Sequence, residues 1–229
     1  MIPEHYSRDI AQRCQSLIRS LLPAVQGGLA DDGRFGGPLS TTFLLAMATP
    51  MVVLPIERIF KPAHPGAAQV GDDRQLDPAL VQEVDNVLGH ARTFGAAPFV
   101  VPGRWSYVPD YPPFNIANQW PPELLESLGR PDAYENAERA PAGCILRDLR
   151  NALAHGGVAY LDAQGWYSGG RATMLAFAAA RKSRNGQLIG LNTLRVGEED
   201  FCAFLMAWAD WLAQPRLRAV LDRLDPLAA

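Results

Sequence analysis

Residues 146–160, LRDLRNALAHGGVAY, constrain the fold more than any other segment, because a helical pattern ends there and a strand pattern begins. Three leucines recur at spacings of three and four residues, which is typical of the buried face of an α-helix. Gly156 and Gly157 follow, and glycine ends helices because it adopts the left-handed conformation at little cost. The sequence therefore predicts a helix that leads directly into a small sheet.

The same predicted helix carries a guanidinium and an imidazole. Side chains four residues apart share a face, so Asn151 and His155 line up, Arg147 lies one turn earlier and Arg150 lies to one side. Histidine suits proton transfer to or from a ribose hydroxyl, and the planar fork of arginine suits a phosphate. The hypothesis is metal-independent cleavage of a phosphodiester. The alternative is an exposed arginine beside a histidine that merely caps a helix.

The spacing Arg-x4-His, with a polar residue after the arginine and Gly-Gly after the histidine, resembles the signature of the HEPN family of nucleotide-binding and ribonuclease domains. Residues 42–58, TFLLAMATPMVVLPIER, and the pattern over 144–212 resemble a plasmid-borne, defence-associated branch of that family. The resemblance implies a helical up-and-down bundle that forms a homodimer, so that two motifs meet in one cleft. Active members of the family are metal-independent endoribonucleases, often toxins or antiviral effectors.

The resemblance also implies a role for each residue of the site. Arg150 would orient and neutralise the scissile phosphate, His155 would be the general acid or base, and Asn151 would hold the imidazole or a phosphate oxygen. Glu57 and Arg58 are expected to flank the cleft. The implied partners are RNA or a nucleotide, a second copy of the chain and an antitoxin protein, with no cofactor. The alternative is a non-catalytic module that binds a nucleotide or a protein, since many family members have this role.

Other kinds of site find little support in the sequence. Arg58 and His64 also form an Arg-His pair, but Pro62 lies between them and no helical run joins them. The three cysteines are widely spaced without a Cys-x-x-Cys pair, which argues against a metal site or a disulfide framework and indicates a reducing cytoplasm. The most apolar run, residues 43–56, is too short to span a bilayer and predicts a buried core helix, so no membrane association is expected.

The net charge of -3 conceals a basic region. Residues 141–196 contain seven lysines or arginines and two aspartates, which gives this region +5 and the rest of the chain -8. Arg181, Lys182 and Arg184 fall at the tip of a predicted hairpin, and together with Arg147 they are expected to contact RNA. The alternative is that the tip is an ordinary solvated turn.

The fold class predicted from these patterns is mainly α (α+β): a HEPN-like helical bundle in a single domain, residues 1–229, with a small antiparallel β-meander before the C-terminal helices. Helices are predicted at 10–21, 43–56, 77–91, 121–129, 146–155, 198–212 and 215–224. The meander, residues 158–196, contains predicted strands at 158–161, 172–180 and 187–196. Ser40 is expected to cap the second helix, Pro50 to kink it, and Pro55 to kink or end it.

Residues 98–141 form an insertion rich in proline and aromatic residues, predicted as a long loop that contains one short helix. Two interpretations remain open for its rings. They could form a lid that stacks on bases, or they could tether the loop to the helices beneath it.

Overall fold

The computed structural model describes residues 6–29, 31, 33–60, 92–167, 170–183 and 185–213. Within these ranges the chain forms six α-helices and a four-stranded antiparallel sheet, which confirms the α+β class. The helices are α1 (Tyr6–Gln26), α2 (Ser40–Ala48), α3 (Pro122–Leu128), α4 (Pro131–Arg139), α5 (Ala142–His155) and α6 (Glu198–Leu212). The helices predicted at 77–91 and 215–224 lie outside the described residues, as does Arg184.

The sheet contains the predicted meander and one strand that the sequence did not predict. Its strands are β1 (Trp105–Tyr111), β2 (Val158–Leu161), β3 (Met174–Lys182) and β4 (Leu188–Gly197), in the order β1-β4-β3-β2. The bounds of β2, β3 and β4 lie within two residues of those predicted. β1 is an edge strand within the insertion 98–141, which also contains two helices, α3 and α4, so the prediction of a loop with one helix was wrong. Pro109 is tolerated because β1 is an edge strand and its pairing with β4 is interrupted between Val108 and Tyr111.

The rings of the insertion are mostly part of the core. Phe99 lies 5.0 Å from the Trp208 ring of α6, and Trp105 lies 5.2 Å from Phe204, measured between ring centroids. On the other side of the sheet, Trp120 is also buried. These rings tether the insertion to the rest of the fold, so they are not free to stack on bases. The interpretation of the insertion as an aromatic lid is wrong for them.

α2 does not end at its prolines. The helix continues from Ala48 through two π-helical turns, Thr49–Val53 and Ile56–Phe60. Pro55 lacks the N–H that would bond to the carbonyl of Met51 in a regular helix, and the indole Nε1 of Trp208 donates to that oxygen instead, at 2.7 Å. A tertiary hydrogen bond thus replaces the missing helical one, and the helix does not end at Pro55.

Ser40 does not cap α2. The capping position is occupied by Leu39, which makes no side-chain cap bond. The Ser40 hydroxyl instead donates to the buried carboxylate of Glu198 at 2.7 Å, and Gln26 donates to the same carboxylate at 3.2 Å. Arg171 lies 3.6 Å from it. This carboxylate joins the ends of α1 and α2 to the first turn of α6.

The helix Ser40–Arg58 is, among the described residues, the one long and apolar enough to cross a membrane by length and composition alone. Its residues Leu44, Ala48, Met51 and Val52 are fully buried in the main hydrophobic cluster. This packing is that of a core helix and is compatible with a soluble protein.

The two faces of the sheet carry separate hydrophobic clusters. Leu175 and Phe177 of β3 point into the larger cluster, which includes residues of α1, α2, α5 and α6. Ala176 and Ala178 point the other way, into a smaller cluster that includes α3. The alternation of side chains along a strand therefore places α5, the helix of the Arg-His motif, on the face shared with α2.

Candidate functional site

The motif helix α5 begins and ends where its sequence changes. It follows Pro141 and stops at Gly156, which has the left-handed φ of 71°. Its three leucines at the predicted spacing, Leu146, Leu149 and Leu153, are buried. The prediction of a helix stopped by glycine is confirmed, with four more residues at its N-terminal end.

Hydrogen bonds join α5, and the residue that follows its end, to three strands of the sheet. Near its middle, Asp148 accepts hydrogen bonds from the Tyr107 hydroxyl of β1, at 3.2 Å, and from the Asn192 amide of β4, at 2.9 Å. Beyond its end, the carbonyl of Gly157 accepts a hydrogen bond from the amide of Ala178 in β3, at 2.7 Å. These contacts fix the end of the motif helix against β3.

Arg150 is held by two neighbours. Its guanidinium forms an ion pair with Glu57, in the second π-helical turn after α2, and donates to the side-chain oxygen of Asn151. The Arg150 side chain is 18% exposed and that of Glu57 is 29% exposed. Burial lowers the pKa of Arg150, but the group remains protonated at neutral pH because the ordinary value for arginine is so high.

Arg150 has more donors than these partners use. Its Nε is buried and, among the described residues, has no hydrogen-bond partner. A guanidinium carries five N–H groups in a planar fork, whereas Glu57 contacts one terminal nitrogen and Asn151 the other. The protein therefore holds the group in a fixed orientation without using all of its donors.

His155 is exposed at the last residue of α5. It is five positions after Arg150, which is a rotation of about 140° around the helix, so the two side chains leave α5 in different directions. Within one chain the structure brings together Arg150, Asn151 and Glu57, and it leaves His155 about one and a half turns further along the helix. Asn151, which accepts a hydrogen bond from Arg150, lies on the same face of α5 as His155. It therefore connects the arginine and the histidine of the motif.

The structure places the predicted RNA-contacting cations on three different elements. Arg147 is exposed and lies 3.8 Å from the Asp148 carboxylate. Arg58 directly follows Glu57, so it lies in the same π-helical turn. Arg181 and Lys182 are exposed at the end of β3, and Arg181 forms an ion pair with Asp110.

The basic hairpin extends past the point where α5 meets the sheet. Arg181 lies three residues beyond Ala178 along β3, which corresponds to roughly 10 Å of strand. The alternation of side chains puts Arg181 on the same face as Phe177, and therefore on the face that carries α5.

Comparisons with known protein families, with curated proteins and with solved structures found no match to this chain. No group of three or more His, Cys, Asp or Glu side chains in the described part of the chain is placed to hold a metal ion.

Asp148 is a buried polar group that sequence reasoning did not single out. Burial raises the pKa of its carboxyl, and the hydrogen bonds from Asn192 and Tyr107 and the charge of Arg147 oppose that rise. Burial also raises the pKa of the Tyr107 hydroxyl, and the Asp148 charge raises it further. No local pattern could identify this cluster, because Tyr107 belongs to the strand that the sequence did not predict.

Replacing Asp148 with asparagine is expected to flatten part of the pH dependence of stability. A carboxyl whose pKa is higher in the folded than in the unfolded state stabilises the protein most below its unfolded pKa, and this contribution is lost as the pH rises through the folded pKa. Asparagine does not ionise, yet its oxygen can still accept both hydrogen bonds. Free energies of unfolding in urea, measured from about pH 4 to about pH 8, should fall less for Asp148→Asn than for the wild type. Identical slopes would contradict this account.

Proposed function

We propose that the protein is a metal-independent endoribonuclease of the HEPN type, with its active site on α5 at the interface of a homodimer. The observation that supports this most is the arrangement on α5. An exposed imidazole, His155, ends a helix on which a guanidinium, Arg150, is held in place about one and a half turns earlier. The exposed cations Arg181 and Lys182, on the strand that the end of α5 contacts, suit a polyanionic substrate.

In this proposal Glu57 and Asn151 position Arg150 for the scissile phosphate. A guanidinium that is already oriented loses less freedom when it binds a phosphate, and its remaining donors can follow the charge that develops in the transition state. Partial burial strengthens this interaction, because the surrounding medium screens charge less than water does. Glu57 and Asn151 are thus positioning residues, and Arg150 contacts the substrate.

The proposed reaction includes two proton transfers, one from a ribose 2'-hydroxyl and one to the leaving 5'-oxygen. One His155 imidazole takes the proton from a ribose 2'-hydroxyl, and the 2'-oxygen forms a bond to phosphorus. The bond from phosphorus to the 5'-oxygen breaks, and that oxygen receives a proton from His155 of the partner subunit. The products are a 2',3'-cyclic phosphate and a 5'-hydroxyl, so the cut needs neither water in the first step nor a metal.

The dimer is part of the proposal because α5 presents Arg150 and His155 in different directions. A second copy related by a two-fold axis would bring an imidazole of one chain toward the guanidinium of the other. The helices on the α5 face of the sheet would supply the HEPN-like bundle and its pairing surface. An antitoxin protein that covers this cleft would fit a role as a cytoplasmic toxin or phage-defence effector.

One observation favours the alternative, a non-catalytic module that binds a nucleotide or a protein. Glu57 already neutralises Arg150 in the single chain, as it would if the ion pair only joined α2 to α5. This alternative expects nucleotide binding without turnover, weakened by Arg150→Ala. Cleavage of bound RNA would support the endoribonuclease, and binding without cleavage would support the non-catalytic module.

The purified protein is expected to cut single-stranded RNA in the presence of EDTA, because the proposed chemistry requires no metal. The assay follows a labelled oligoribonucleotide on a denaturing gel and identifies the product ends by enzymatic treatment. Cyclic phosphate and 5'-hydroxyl ends support the proposal. Cleavage that stops in EDTA, or products with 5'-phosphate ends, would contradict it.

A further inference from the structure

A groove of about 230 Å³ lies where the loop before α2 meets the end of β2. We call it the Phe35–Tyr160 groove, after the two exposed rings that line it. Its other walls come from the first residues of α2 and from the segment that leads into β3. Pockets for drug-sized ligands measure roughly 300–1,000 Å³, so this groove suits one ring system rather than a whole cofactor.

The groove lies on the same face of the sheet as α5. Tyr160 pairs with Leu175, whose side chain is in the core cluster that contains α5, and side chains of directly paired residues share a face. Tyr160 is also close to the motif along the chain. Three residues separate it from Gly157, which corresponds to roughly 10 Å of strand. A strand of RNA cut at His155 would therefore reach the groove with a neighbouring nucleotide.

The chemistry of the groove suits a nucleobase. The Phe35 residue is 62% exposed and Tyr160 is 39% exposed, so two large aromatic side chains remain accessible. Exposed aromatic rings are the stacking platforms that proteins use for single-stranded nucleic acids. The buried rings of the insertion cannot take this role.

Cations flank these rings. The guanidinium carbon of Arg34 lies 5.6 Å from the centroid of the Phe35 ring. Arg171 is partly exposed and lies next to Gly37, where a Cβ atom would be 3.3 Å from the Cβ of the arginine. Positive charge beside an aromatic groove complements a base that carries a phosphate.

We propose that the Phe35–Tyr160 groove is a nucleobase subsite, which holds the base of a nucleotide that neighbours the cleaved bond. The position of this subsite next to the cleaved bond rests on the proposed function of α5. The binding of a base in the groove does not depend on that function. The base stacks on Phe35 and Tyr160, and Arg171 contacts a phosphate of the same strand.

The test measures binding in a His155→Ala background, so that RNA is not consumed. The probes are a fluorescein-labelled single-stranded oligoribonucleotide, followed by anisotropy, and the four ribonucleoside 5'-monophosphates, followed by NMR line broadening. Adding Tyr160→Ala or Phe35→Ala is expected to weaken oligonucleotide binding roughly tenfold, as loss of one stacked base does. Tyr160→Phe keeps the ring and should bind like the parent. Val101→Ala, which removes an exposed apolar side chain outside the groove, is the matched control.

A series of oligonucleotides, each with one abasic position, locates the base. One position should bind less tightly to the parent protein, and that difference should disappear with Tyr160→Ala. Equal binding by the parent, Tyr160→Ala and Phe35→Ala would overturn the subsite, as would a parent that binds neither the oligonucleotide nor any mononucleotide. RNA cleavage by the wild type that persists unchanged in Tyr160→Ala would overturn the subsite and leave the proposed function standing. If mononucleotides bind to the parent but not to Tyr160→Ala or Phe35→Ala, and the wild type does not cleave RNA, the subsite stands and the proposed function is overturned.

Discussion

Replacing His155 with alanine is expected to lower the rate of RNA cleavage by about 10²- to 10⁴-fold, the range that a general acid or base contributes. His155 is exposed at the end of α5, so its removal leaves no cavity and should not change the thermal midpoint of unfolding. The comparison uses single-turnover cleavage of the same oligoribonucleotide by wild type and variant, with EDTA present.

The sequence offers a matched control for this variant. His64 also follows an arginine at a similar spacing, but Pro62 interrupts that segment, and His64→Ala should cleave RNA at the wild-type rate. A rate for His155→Ala that equals the wild-type rate would remove His155 from the mechanism. A similar loss in both variants would show that the loss is not specific to His155 and would indicate a general effect on the fold.

The second large effect is expected from Gly157→Ala, which should destabilise the fold by about 3 kcal/mol, the upper end of the usual range for overpacking. A Cβ atom at this position would lie 2.2 Å from the backbone oxygen of Ala178, and a backbone atom cannot turn aside as a side chain can. The start of β2 and the end of α5 would both have to move away from β3. Urea unfolding followed by circular dichroism measures the change in the free energy of unfolding.

Gly156→Ala separates this steric effect from the effect of backbone conformation. A Cβ atom at Gly156 meets nothing within 4 Å, but the residue has a φ of 71°, which costs a non-glycine residue about 1 kcal/mol. Gly157→Ala should therefore be clearly less stable than Gly156→Ala. Equal stabilities would mean that α5 is not held against β3 as described.

Local patterns were sufficient to predict the part of the fold that carries the motif. The helical spacing of Leu146, Leu149 and Leu153 and the two glycines after His155 predicted the course of α5 and the start of β2. The same holds for the hairpin between β3 and β4, where the glycine at the tip, Gly186, has a positive φ. These features depend on neighbours in the sequence, which is why they could be predicted.

The sequence prediction missed β1 and α4, and β1 depends on a distant partner. β1 contains Pro109 and lies between other prolines, so its residues resemble a loop until β4 is present to pair with Trp105 and Tyr107. The path of α2 past Pro55 likewise depends on a hydrogen bond from Trp208, far away in the sequence. Neither contact can be predicted from the residues that are adjacent in the sequence.

The candidate site was predictable to a similar extent. The spacing on one helix identified Arg150, Asn151 and His155, but the orientation of Arg150 depends on Glu57, which belongs to another part of the chain. The sequence placed Glu57 near the cleft by resemblance, without indicating that it contacts the guanidinium. The buried cluster at Asp148 had no signal at all, because it combines three separate elements.

A crystal structure with bound RNA would show whether α5 carries the active site. The RNA would carry a 2'-O-methyl group at each nucleotide in turn, which blocks attack by the 2'-oxygen and preserves the substrate. We expect a homodimer with a phosphate on the Arg150 guanidinium and the blocked 2'-oxygen within about 2.6–3.2 Å of a His155 imidazole, from either subunit. RNA bound away from α5, or a dimer that buries His155 away from any phosphate, would contradict it.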